Sequence, residues 1–81
     1  MRRERKYIFE NGFMMHTVQF IGETDRKKHY CINIIDTNNE FNKKYPDMPF
    51  WETLEEFDFD NSKEANEQFI ISYDYYKNFE R

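Results

Sequence analysis

Tyr7-Ile8-Phe9-Glu10-Asn11-Gly12-Phe13-Met14-Met15-His16 is the stretch whose reading decides the fold. Asn-Gly favours a type I′ turn, because both central residues of that turn need φ > 0. Residues on either side are strand-like, from Arg5 to Glu10 and from Phe13 to Gly22. A two-residue loop then sets Glu10 against Phe13, Phe9 against Met14 and Tyr7 against His16. One face would carry Tyr7, Phe9, Met14, His16, Val18 and Phe20. The other would carry Ile8, Phe13, Met15, Thr17, Gln19 and Ile21.

A polar turn, Glu23 to Lys27, leads into a third strand from Lys28 to Asp36 with Tyr30, Ile32 and Ile34 on alternate positions. If Gly22 opposes Lys28, Phe20 faces Tyr30 and Val18 faces Ile32. The apolar sets of three strands then share one face, which predicts an antiparallel meander. Such a sheet needs a cover to be stable.

The C-terminal half supplies one. Thr37 to Tyr45 reads as a polar loop, and Pro46 and Pro49 punctuate the chain after it. Asp47 to Phe57 suits a short helix, with Asp47 as cap and Pro49 in the first turn. Asn61 and Glu64 then open a C-terminal helix, with acids near its start and Lys77 and Arg81 near its end. Ala65, Phe69, Tyr73, Tyr76 and Phe79 form one stripe roughly 120° wide on that helix. The predicted fold is therefore α+β: a three-stranded meander packed with a short helix and a C-terminal helix. The competing reading makes strands of Phe57 to Asp60 and Phe69 to Tyr75, giving an all-β five-stranded sheet.

The chain has 81 residues, room for a single small domain, with residues 1–4 expected as a flexible basic arm. Charged residues make up 35%, a composition that leans toward disorder, but aromatics make up 20% and the chain has only 2 Gly and 2 Pro. A folded domain with an aromatic core follows, since each buried ring removes roughly 150–250 Å² from water. Cys31 is alone, which excludes an intrachain disulfide. No apolar run approaches the roughly 20 residues that span a bilayer. With no signal-like segment, the expectation is a cytoplasmic protein without a membrane partner.

Residues that carry chemistry are sparse. His16, His29 and Cys31 are the only nitrogen and sulfur ligands of the usual kinds, short of the four that a structural zinc site requires. The register above puts His16 on the opposite face from His29 and Cys31. Cys31 has no glycine-rich turn beside it to make an oxyanion hole. Glycine occurs only at 12 and 22, too few for a phosphate-cradling loop. Carboxylate pairs have little concave volume in which to be desolvated. The reading is a non-enzymatic protein with no cofactor, no metal and no catalytic residue.

Charge is uneven along the chain. Residues 1–30 balance to +3, residues 31–50 to -1 and residues 51–81 to -6. The acids between Asp47 and Glu67 are interleaved with Phe50, Trp51, Phe57 and Phe59. Charge there would steer a basic partner and the rings would anchor it. Trp51, Glu52, Glu55, Glu56, Phe57, Asp58 and Asp60 are the expected partner-binding residues. The function expected is that of a small inhibitor or modulator that binds a host protein with a basic surface. Its carboxylates could act as a nucleic-acid mimic, and the composition is similar to that of small phage and mobile-element proteins. An adaptor docking through its aromatics on a host ATPase, protease or polymerase is the alternative within this class. A nucleic-acid-binding module would instead use Arg2, Arg3, Arg5 and Lys6 with the basic turn Arg26-Lys27-Lys28. The acidic third weighs against it through phosphate repulsion. A spare apolar sheet face (Ile8, Phe13, Met15, Ile21, Ile35) also allows a homodimer.

Overall fold

In the computed structural model, which describes residues 2–45 and 52–80, the chain is α+β: one four-stranded antiparallel sheet with a long helix across one face. The strands are β1 (Arg2–Ile8), β2 (Phe13–Ile21), β3 (Lys28–Asp36) and β4 (Glu55–Phe59), in the spatial order β1-β2-β3-β4. A short helix α1 (Glu40–Lys44) precedes β4, and α2 (Ser62–Lys77) follows it.

The first turn falls where Asn-Gly puts it, but the loop has three residues. Phe9 N–H bonds Phe13 O at 2.9 Å and Gly12 N–H bonds Phe9 O at 3.2 Å, with Gly12 at φ 92°. Asn11 keeps a negative φ, so this is the bulged three-residue hairpin rather than type I′. Asn11 is held there by other bonds. Its Nδ2 donates to Tyr76 O at 2.6 Å and Phe79 O at 3.0 Å, while Oδ1 accepts from Phe13 N–H at 3.1 Å.

The extra loop residue shifts the register by one, so Tyr7 opposes Met15 rather than His16. The β2–β3 pairing is shifted likewise, with Phe20 opposite His29 and Ile21 opposite Lys28. The two slips leave β1 and β3 sharing a face as expected and turn β2 over. Phe13, Met15, Ile32, Ile34 and Tyr76 form the core cluster beneath α2, with Tyr7, Phe9, Phe57, Phe59, Phe69 and Tyr73 packed against it, while Met14, Val18 and Ile35, on the other face, are also buried. Phe13 and Met15 are thus core residues, not part of a spare face. Arg2 to Glu4, expected as a flexible arm, pair with β2 at Phe20, Gln19 and Val18.

The helix expected over Asp47–Phe57 is corrected where it is described: Glu55 to Phe59 is the fourth strand, paired with β3 and not with a C-terminal strand. Its alternating Phe57-Asp58-Phe59 fits a pleated edge with one face buried. Residues 46–51, including Trp51, lie outside the described residues. The short helix occurs earlier, where a loop was expected. Asn39 caps it, accepting from Asn42 N–H at 2.7 Å. Asn42 is itself 2% exposed and ties the helix down: its Nδ2 donates to Asp36 O (2.9 Å) and Glu52 O (3.1 Å), and Oδ1 accepts from Glu52 N–H (2.9 Å).

The C-terminal helix forms as capping and dipole predict. Asn61 Oδ1 accepts from Glu64 N–H at 3.1 Å, and Ala65, Ser72 and Tyr76 are its buried residues. Edge-to-face ring pairs clamp it to the sheet, Tyr7 to Phe69 at 5.3 Å, Phe9 to Tyr73 at 5.3 Å and Phe13 to Tyr76 at 5.1 Å. Each such pair adds about 0.5–1.5 kcal/mol beyond its burial.

Candidate functional site

β4 stands at the edge of the sheet and, among the described residues, pairs only with β3. An edge strand carries a row of backbone N–H and C=O groups on its outer side that no neighbouring strand satisfies. β4 is also the most acidic strand, with Glu55, Glu56 and Asp58 and no base, and Glu52 and Asp60 flank it. Pleating divides these side chains. Glu55, Phe57 and Phe59 lie on the face covered by α2, while Glu56 and Asp58 lie on the open face.

Of the residues expected to bind a partner, Glu52, Glu55, Glu56, Asp58 and Asp60 are therefore all exposed but border one edge instead of tiling one surface. Phe57 is half-buried in the core and stacks on Phe59 with ring centroids 6.3 Å apart, so most of its ring is committed to the fold.

Sequence reading missed the helix side of this edge. Glu55 and Phe57 line a shallow cleft of about 270 Å³ with Gln68, Ile71, Ser72, Tyr75 and Tyr76 of α2. Ile71 is 61% exposed and Tyr75 58% exposed, one helical turn apart. Both lie outside the stripe assigned to the core, Tyr75 about 40° and Ile71 about 80° beyond its edge, so helical periodicity leaves them to solvent. Polar groups at the floor are satisfied internally: Gln68 Nε2 donates to Ser72 Oγ at 2.9 Å. Burial, with a hydrogen bond to Glu55, pushes the Tyr76 phenol up to about 12. Tyr76 is thus neutral at any physiological pH.

The open face carries the histidines and the cysteine. The corrected register brings His16 to the same face as His29 and Cys31. His16 Nε2 lies 3.5 Å from Glu4 Oε1, and Arg2 beside Glu4, hydrogen-bonded to it, holds that carboxyl below its usual range. His29 bridges two acids, with Nε2 2.7 Å from Asp25 Oδ2 and Nδ1 3.2 Å from Asp58 Oδ1, and its ring stacks on Phe20 at 5.0 Å. Those hydrogen bonds raise its pKa. Both nitrogens being engaged, the ring has no lone pair aimed at Cys31. Burial, and then Asp58, raise the Cys31 pKa, the opposite of what activates a nucleophile. Among the described residues no group of three His, Cys, Asp or Glu side chains could hold a metal ion. Nor is any described helix long and apolar enough to cross a membrane.

The opposite edge is basic. Arg2, Arg3, Arg5 and Lys6 stand on β1 against the single acid Glu4. No known protein family, curated protein or solved structure matches this chain.

Proposed function

We propose that this chain is a small protein-binding protein, an inhibitor or modulator of its partner, which takes up an extended basic segment as a fifth strand along β4. The observation that carries this reading is the outer edge of β4, bordered by acids and flanked by the exposed pair Ile71 and Tyr75. In strand addition, main-chain hydrogen bonds supply affinity and pockets for alternate side chains supply specificity. Here one set of side chains would enter the cleft beside Glu55, Ile71 and Tyr75. The other would meet Glu56 and Asp58. Carboxylates on both sides of one strand favour Lys or Arg at successive positions, and they speed encounter with a basic segment. This arrangement suits a single extended segment better than the duplex-shaped groove that a nucleic-acid mimic would fill, because the acids follow a line.

The test is a fluorescence-anisotropy titration with an eight-residue peptide that carries Lys or Arg at successive central positions and Val or Ile at its ends. Glu56→Lys with Asp58→Lys should weaken binding at least tenfold, and the uncharged change Ile71→Ser should weaken it several-fold without changing the salt dependence. A peptide that fails to bind at low salt, or that binds both variants as well as the natural chain, sinks the proposal.

A further inference from the structure

The two edges of the sheet carry opposite charge and run in complementary directions. Strand direction alternates across β1-β2-β3-β4, so β1 of a second copy laid antiparallel along β4 continues the same sheet. Both copies then keep α2 on the same side. On that side Arg3 and Arg5 of the incoming strand lie beside Glu55 and the cleft. On the open side Arg2 and Lys6 lie beside Glu56 and Asp58. Glu4 is the one like charge in the junction. The alternative self-pairings are disfavoured: β4 on β4 sets Glu55, Glu56 and Asp58 against their own copies, and β1 on β1 sets four bases against four.

We infer that the β4 edge accepts the β1 edge of a second copy, so that the free protein associates head to tail through a continuous sheet. This rests on the reading that β4 takes up an extended basic strand, with β1 as the strand nearest to hand. Such a contact is heterologous and does not close on itself, so growth continues past the dimer. It also occupies the groove that an outside partner needs, so self-association and partner binding compete.

Sedimentation velocity on the full chain tests this at about 20 mM and about 500 mM salt, where screening differs several-fold. At low salt the weight-average mass should climb with concentration beyond two copies, and at high salt it should fall toward one. Arg3→Glu with Arg5→Glu makes both edges acidic, and Glu56→Lys with Asp58→Lys makes both basic. Each variant alone should be monomeric, with unchanged far-UV circular dichroism, and an equimolar mixture should associate again. A natural chain that stays monomeric at low salt, a mass that levels off at the dimer, or a mixture that does not associate overturns the inference. The Arg3→Glu, Arg5→Glu variant should still bind the basic peptide. If it does while the natural chain is monomeric, self-association fails and strand addition by a partner stands; if it does not, strand addition itself fails.

Discussion

Replacing Asn42 by alanine removes a side chain that ties α1, the end of β3 and the approach to β4 together. Three hydrogen bonds are lost, to Asp36 O, Glu52 O and Glu52 N–H. At about 1 kcal/mol each, with a further cost for the orphaned Glu52 N–H, the expected loss is about 2–4 kcal/mol. A chain of 81 residues has roughly 4–12 kcal/mol in all, so the midpoint of thermal unfolding should drop by roughly 10–25 °C. Urea unfolding followed by circular dichroism measures the loss directly. Asn42→Asp sharpens the test. It keeps an acceptor for Glu52 N–H but turns an oxygen toward the Asp36 and Glu52 carbonyls. The aspartate pKa in the folded state is then raised above its unfolded value, so stability should fall as pH rises through that folded pKa and recover in acid. The reasoning is refuted if Asn42→Ala costs less than about 0.5 kcal/mol, the range of an ordinary surface change.

Three further outcomes follow from the geometry. His29, watched by NMR, should titrate above the ordinary imidazole value and drift back toward it in Asp25→Asn or Asp58→Asn. Asp25 is held below its ordinary value by Lys27 N–H and then His29. The bridge is therefore complete only between the two titrations: the His29 contribution fades as pH rises through its raised pKa, and the Asp25 contribution as pH falls through its lowered one. A His29 titration unmoved by both substitutions would mean that the bridge does not form in solution. Gly12→Ala should cost about 1–3 kcal/mol, because φ is 92° and the new Cβ would collide with the Asn38 side-chain amide; stability equal to the natural chain in a thermal melt would contradict the bulged hairpin. Cys31 should react with iodoacetamide at neutral pH several-fold more slowly than a free thiol, since its thiolate is disfavoured. Reaction at the free-thiol rate would place it in a more exposed setting.

Much of the fold was legible because several local signals agreed on it. Asn61, Glu64 and the aromatic stripe identified α2 by capping and periodicity together, and α2 begins at Ser62 where the cap puts it. The turn at Asn11-Gly12 was placed correctly and its length was not. Loop length depends on whether Asn11 takes a positive φ, and its bonds to Tyr76 and Phe79, far along the chain, bear on that choice. The pattern of β2 does not fix its register, because β2 is apolar and buried on both faces, Met14 and Val18 on one and Phe13 and Met15 on the other. α1 escaped notice because five residues are too few for helical periodicity, and its anchor is a buried polar residue. The acidic residues of the candidate site were legible as a segment. Their division between two faces was not, since a helix over Asp47–Phe57 and a strand over Glu55–Phe59 project the same acids differently.

The Asn11 clip also has a bearing on the order of assembly. The bonds it makes span 65 and 68 residues of chain, whereas the turns that join β1, β2 and β3 are closed by near neighbours in sequence. Loop-closure entropy therefore places the meander early and the docking of α2 late. The last helical turn acts as a latch on the first hairpin, and hydrogen exchange at Tyr76 and Lys77 should report its opening before the central strands give way.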